Sequence, residues 1–378
     1  MPNAPRRLSF ERITQLVARA LGVSAEELQA AFMPAQSAHL AGVMALRRRV
    51  LDTPVVWDDA KYLTWRYHFG ATSQGRGDCW VLVHHENVIA MVGTERIELL
   101  HGTRIIPTLS TMDIAVDLQF ADCGLGAWIN LKLATQQPCC ITVGSNEQSL
   151  GMIRSLFASL PNRRNYIHVL DFHRLFLKRL RPELLANAVA AAAGAATRLW
   201  RWLLPGAAIE IRAITRFDRD VDALAARARP LEEVWISRSA EFLNWRLFEN
   251  PRVQYAVWGA YAHGRLVGHI ATQLQSTHAP QDALGVVDWL VDPATGRAVA
   301  FALLRQVLQQ ATELGVHQVA VTANDAGFER HLRWAGFMRQ RSVYESVAIF
   351  GCDTATVDGL MQMPRWFISE INTDRDGL

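Results

Sequence analysis

The residues best placed to do chemistry lie in one short stretch, Val116-Asp117-Leu118-Gln119-Phe120-Ala121-Asp122-Cys123-Gly124-Leu125-Gly126-Ala127. An apolar strand pattern leads into it and a helical pattern leaves it. A strand, a glycine loop and a helix N-terminus together present backbone N–H groups and partial positive charge to a phosphate, and glycines let the main chain approach closely. The same Gly-x-Gly also describes a tight turn. Four carboxylates belong to this kind of segment: Asp113 and Asp117 here, Asp288 and Asp292 further along. A half-buried carboxylate beside such a loop is expected to have a raised pKa and to act as a base, directly or through water. A strand-end or helix-cap role is the competing reading for Asp117 and Asp292. It fits Asp113 and Asp288 less well, because both sit inside apolar strand patterns.

The elements around this loop occur twice. Tyr62-Leu63-Thr64-Trp65-Arg66-Tyr67 returns as Phe242-Leu243-Asn244-Trp245-Arg246-Leu247. Each phrase precedes a hairpin of two strand patterns and then an Asp-bearing strand, so an internal duplication is expected. Trp65 pairs with Trp245, Asp117 with Asp292, and Asn146 with Asn324. Repeated at equal positions, Trp65, Arg66, Trp245 and Arg246 read as a structural knot rather than a ligand site. His84 and His85, adjacent in a strand pattern, should point to opposite faces. Cys123 has no histidine beside it to make it a nucleophile, and no metal-ligand spacing occurs.

The chain has 378 residues, of which 50% are hydrophobic and 20% charged, enough for two well-packed domains. A net charge of +3 with no basic tract argues against nucleic acid. Five cysteines without a CxxC are expected to be reduced in a cytosolic protein, and no secretory signal is evident. The alanine-rich stretch 184–204 ends in Trp200 and Trp202 and is too poor in large apolar residues to span a membrane. It reads as a helix packed between domains, with peripheral membrane contact as the alternative.

Residues 8–33 read as two short helices, with Gly22 as a stop and Ser24-x-x-Glu27 as a capping box. Hairpins are expected around Glu86-Asn87, His101-Gly102 and His263-Gly264, helices over 301–314 and 328–334, and strands over 139–143 and 316–321. Strands followed by strand–helix–strand–helix describe a mixed α/β unit. The expected division is a helical extension 1–37, a first domain 38–170, a helical linker 171–208 and a second domain 209–378.

On these motifs the chain resembles the GNAT acyltransferase superfamily, whose fourth strand runs into a helix through Arg/Gln-x-x-Gly-x-Gly/Ala. Gly124 and Gly126 match the two glycines, while Ala121 stands where the arginine or glutamine usually is. Asn324 and Gly336-Phe337 resemble the end of a GNAT domain. The Leu-x-Trp-Arg phrase is similar to tandem GNAT-like proteins found among bacterial surface-polysaccharide genes. The resemblance implies two tandem GNAT-like domains, each a mixed sheet flanked by helices. It also implies acetyl-CoA or another acyl-CoA bound through Asp122, Cys123, Gly124, Leu125, Gly126, Ala127 and Asn146, with Asp113, Asp117 and Asp288 as candidate catalytic carboxylates. The second copy reads as degenerate, with Val299 and Phe301 in place of both glycines. A tyrosine acid is expected four residues before the Gly-Phe, where Leu332 stands instead.

The function implied is acyl transfer from acyl-CoA to a small-molecule amine, such as an amino sugar or a surface-polysaccharide intermediate. A non-catalytic binding or scaffold protein is the alternative. An aminoacyl-tRNA-dependent transferase is a third reading, opposed by the near-neutral charge.

Overall fold

The computed structural model describes residues 9–50, 60–70, 75–144, 151, 153, 157–160, 163–172, 187–189, 191–192, 194–195, 209–229, 232–275, 283–340, 347–363 and 365–373. It is a mixed α/β structure with two mixed sheets flanked by helices. The chain forms two compact units, Met1–Asn162 with Tyr344–Pro364, and Arg163–Val343 with Arg365–Leu378.

The first unit opens with helices α1 (Phe10–Leu21) and α2 (Ala25–Ala31). Gly22 ends α1 in the left-handed region at φ 68°, and Ser24 and Glu27 form the expected capping box at α2. Strand β1 (Phe32–Pro34), helices α3 (Leu40–Val50) and α4 (Ala60–Arg66) and strand β2 (Tyr67–His68) follow. Then come β3 (Gly77–His84), β4 (Asn87–His101), β5 (Arg104–Val116), helix α5 (Leu125–Gln136), β6 (Cys140–Val143) and β7 (Ala158–Leu160).

The second unit takes β8 (Arg164–Val169) and β9 (Glu210–Ala213), helix α6 (Arg219–Ala228), β10 (Val234–Ile236) and helix α7 (Ala240–Phe248). It continues with β11 (Tyr255–Ala262), β12 (Arg265–Gln275), β13 (Ala283–Val291), helix α8 (Arg297–Glu313), β14 (Gln318–Ala323), helix α9 (Ala326–Trp334) and β15 (Met338–Arg339). Strand β16 (Val347–Phe350) and helix α10 (Thr354–Met361) belong to the first unit, and β17 (Trp366–Phe367) to the second.

The two sheets share a pairing pattern. In the first, the order is β1-β3-β4-β5-β6-β16-β7, and in the second β9-β11-β12-β13-β14-β8-β15. Every pair along each path is antiparallel except β5 with β6 and β13 with β14. The strand beyond each parallel pair comes from the other half of the sequence. β16 lies against β6, and β8 lies against β14. The units therefore do not follow a division at 170/209, because a strand's pattern of residues does not say which sheet will take it.

The first sheet is packed on both faces. On one, Leu125, Trp128, Ile129 and Leu133 of α5 meet Ile13, Val17 and Leu21 of α1. Trp128 donates its Nε1–H to Thr14 Oγ1 at 3.0 Å and stacks on Phe10. On the other, Val43, Leu46, Tyr62 and Leu63 of α3 and α4 meet Val81, Met91 and Ala115.

Candidate active site

Strand β5 delivers Asp117 to the start of the glycine loop. Its carboxylate accepts the Gln119 N–H at 3.2 Å and caps a 3-10 turn, Leu118–Cys123. Arg49 of α3 grips the same carboxylate through Nε at 3.0 Å and an NH2 group at 2.8 Å. Asp292 repeats the arrangement: it caps the 3-10 turn Pro293–Thr295 and pairs with Arg227 of α6 at 2.9 Å. Both aspartates are thus used as caps tied to a helix arginine.

Gly124 leaves the turn at φ 84°, a conformation that glycine alone adopts without strain, and α5 begins. Gly126 has no such need. A Cβ there would meet only Val116 Cγ2, at an ordinary 3.7 Å. Glycine inside a helix is less favourable than alanine by about 1 kcal/mol, and nothing in the packing requires the side chain to be missing. Leu125 is buried, Ala127 and Cys123 are half-buried, and Asp122 is exposed. Cys123 Sγ–H donates to the Phe120 carbonyl at 3.0 Å, and burial pushes its thiol upward, so it stays protonated. Asn146 lies outside the described residues.

Next to this loop the pairing of β5 with β6 ends. β5 pairs with β6 only over Leu109–Thr111, although β5 runs on to Val116. The edge over 112–116 has no β6 partner among the described residues, and its Ile114 and Val116 are half-buried beside Phe120, Ala127 and Leu131. Strand-edge amides, an apolar wall and a helix N-terminus thus meet in one place.

Asp113 lies two residues past the last β6 pair, and its expected raised pKa requires correction. Burial would push the carboxyl up. The guanidinium groups of Arg47 and Arg66 and the Tyr67 hydroxyl outweigh burial and hold it below the usual carboxylate range. Arg47 lies 3.4 Å from Oδ1, and Tyr67 Oη–H donates to Oδ2. Asp288 needs the same correction. It is wholly buried, and burial is again overcome by Arg238 at 3.0 Å, His269 at 3.1 Å and the Ser369 hydroxyl at 2.5 Å. Held ionised by partners already in place, both are weak proton acceptors.

The second unit has an equivalent opening, and it is filled. β13 pairs with β14 over Ala283–Val286 only, with a bulge at Val287. Trp289 stacks on Phe328 of α9 at 4.2 Å and receives Phe367 edge-on at 5.5 Å. Ser369, two residues later, bonds Asp288. Asp288 and Trp289 are consecutive strand residues and face opposite sides of the sheet. The segment 367–369 therefore crosses the plane of the sheet through the gap beside β13. Asn324, just past β14, holds the Ile368 N–H at 3.0 Å, and Arg246 holds the carbonyls of Ile371 and Thr373.

The second loop keeps a cap glycine of its own. Gly124, the N-cap of α5 at φ 84°, corresponds to Gly296, the N-cap of α8 at φ 64°. Counted from these caps, Ala298 stands opposite Gly126. Val299 and Phe301 are core residues, 0% and 2% exposed. The shorter 3-10 turn in the second loop displaces the alignment. It is the aromatic cluster and the crossing segment that close the second opening.

His84 and His85 do not point to opposite faces. The hairpin turn is His85-Glu86, and the two rings lie 4.0 Å apart, with Phe120 at 6.1 Å from His84. Leu332 is buried. Trp65 and Trp245 lie against neighbouring aromatic rings, and Arg66 and Arg246 are buried. Among the described residues no group of side chains could hold a metal ion, and no helix is long and apolar enough to cross a membrane. Trp200 and Trp202 lie outside the described residues. Sequence reading missed Arg47, Tyr67, Arg238 and Ser369, the partners that set the state of the two strand aspartates. They are remote in sequence, and only a buried aspartate in an apolar strand hinted that partners must exist.

Residues 220–337 match the profile of the Acetyltransferase (GNAT) family. A comparison with curated protein sequences gives no match. Among solved structures, the fold is similar to a GCN5-related N-acetyltransferase from Anabaena variabilis, with TM-score 0.58 and 10% identity over 84% of this chain and 71% of that one. It is similar to Saccharomyces cerevisiae N-myristoyltransferase with bound myristoyl-CoA, with TM-score 0.54 and 10% identity over 85% and 83% of the two chains. A GCN5-related N-acetyltransferase from Kribbella flavida gives TM-score 0.55 and 13% identity over 85% and 71%. Residues 220–337 carry a GNAT family domain, and the chain as a whole shares its fold with these acyltransferases.

Proposed function

We propose that the chain is an acyl-CoA-dependent N-acyltransferase that binds its acyl-CoA in the opening of the first unit. The observation that carries this reading is that, among the described residues, β5 has no β6 partner over 112–116 beside Gly126, a helical glycine whose missing Cβ no described atom needs. The first-turn amides of α5 have no intrahelical acceptors and suit a pyrophosphate. The main chain at Gly126 lets it come close. Ile114 and Val116 supply an apolar wall for the arm, and amides of β5 beyond its pairing with β6 can polarise a thioester carbonyl. Acyl-CoA supplies an activated acyl group: the amine nitrogen forms the new bond to carbon, the C–S bond breaks, and the amine proton ends on the thiol. An amino sugar or surface-polysaccharide intermediate is the acceptor class suggested by the repeated Leu-x-Trp-Arg phrase, and acetyl is the first acyl group to test.

The experiment is calorimetric titration with acetyl-CoA, and Gly126→Leu as the control. Binding by the native chain with loss of about tenfold or more in the variant is expected, because a leucine side chain would stand where the phosphates approach. No heat at millimolar ligand removes the enzyme reading and leaves the scaffold. Thiol release with a panel of amines then ranks amino sugars against other acceptors.

A further inference from the structure

Asp113 has φ 51° in the middle of strand β5. The other non-glycine residues with positive φ among the described residues, His85, Glu86 and His263, all lie in hairpin turns. A left-handed residue inside a strand persists only where its surroundings impose it. Here the register with β4 slips: Met91 pairs with Ala115 but Gly93 with Met112, so Asp113 and Ile114 together oppose Val92. Parallel pairing with β6 stops at Thr111, just before this bulge.

The side chains that hold the bulge come from three elements. Arg47 reaches from α3, Tyr67 from β2, and Arg66 from the end of α4. Tyr67 reaches Asp113 across β4 because Gly93 has no side chain. A Cβ on Gly93 would fall on the Tyr67 ring and hydroxyl. In the second sheet the bulge at Val287 involves no left-handed residue, and the gap is filled. In the first, β5 has no β6 partner over 112–116 among the described residues, and the left-handed aspartate is present.

We propose that Asp113 is a positioning residue, whose carboxylate, clamped by Arg47 and Tyr67 over Gly93, holds the left-handed kink in β5 and so sets the course of residues 112–116 beside the acyl-CoA site proposed above. The role rests on the reading of the first unit as the acyl-CoA site. Its test separates backbone shape from carboxylate chemistry. Asp113→Gly removes the carboxylate but accepts the conformation freely, whereas Asp113→Ala removes the carboxylate and resists it.

Amide hydrogen exchange over 112–116 needs no ligand. Asp113→Ala is expected to gain protection there as the bulge against β4 is lost, and Asp113→Gly, which accepts the kink but lacks the carboxylate that holds it, to fall between Asp113→Ala and the native chain. With acyl-CoA, Asp113→Ala should lose about tenfold in affinity while Asp113→Gly keeps kcat and its pH profile within a few fold. Equal losses of about a hundredfold in kcat for both, with affinity unchanged, would mark a base and overturn the proposal. Where these variants leave Arg47 buried without its counter-charge and fail to fold, Tyr67→Phe serves instead. It keeps the ring on Gly93 and removes only the clamp. Altered exchange over 112–116 with weaker binding supports the role, and native exchange overturns it. A native chain that binds no acyl-CoA refutes the function, while the exchange pattern still decides what holds the strand.

Discussion

At the residue scale, charge in this protein is spent on holding shape. Asp288 is the clearest case, with Arg238, His269 and Ser369 around one wholly buried carboxylate. Removing one partner of a buried pair costs about 3–5 kcal/mol, because the other charge stays behind. Asp288→Asn should therefore lower stability by about that amount, read from urea unfolding at neutral pH. The pH dependence follows from the directions for Asp113 and Asp288. Both lie below the usual range when folded, so the unfolded chain binds protons first. Their stabilisation is complete above the unfolded carboxylate value of about 3.9 and is lost as pH falls through the lower folded values. The unfolding midpoint should be flat with respect to these two groups from neutral pH down to about 5 and fall below about 4, less steeply in Asp288→Asn. A midpoint that declines only as pH rises would contradict the assignment.

At the element scale, α1 and α5 form a single support for the glycine loop. The sequence marks α1 well, with Ile13, Val17 and Leu21 on one face and Gly22 as its stop. What α1 covers was not legible there. It packs on α5 and sets Ile13 3.8 Å from where a Gly124 Cβ would lie, close to the loop without filling it. The hydrogen bond from Trp128 to Thr14 fixes the pair. Thr14→Val should cost about 1–3 kcal/mol, since it leaves a buried indole N–H unmet. It should also weaken acyl-CoA binding if α1 braces the loop. Thermal melting and calorimetry on the same variant separate the two effects, and unchanged stability would mean that α1 is not tightly docked.

At the scale of the whole molecule, the family signature and the open site lie in different units. Residues 220–337 carry the recognisable GNAT sequence, yet their opening is crossed by residues 367–369 and packed with Trp289, Phe328 and Phe367. In the first unit, β5 has no β6 partner over 112–116 among the described residues. Calorimetry should therefore return one acyl-CoA for each chain, and Phe367→Ala should leave that ratio and the affinity unchanged. Two ligands for each chain, or loss of binding in Phe367→Ala, would place the site in the second unit.

The sequence by itself determined the elements. Alternating apolar residues, Ser24-x-x-Glu27, Gly22 and the repeated Trp-Arg phrase are local signals, because strand pleat, helix period and capping are decided within a few residues. It also pointed to the loop at Gly124 and Gly126 and to the importance of Asp113 and Asp288. Only the tertiary structure decided what those aspartates do, because Arg47, Tyr67, Arg238 and Ser369 reach them from distant parts of the chain. It decided, too, that β8 and β16 join the sheets of the opposite halves, and that aromatic rings fill the gap beside β13. A pKa depends on every charge within several ångströms and a cleft on every side chain that enters it. Neither is a property of a short window of sequence.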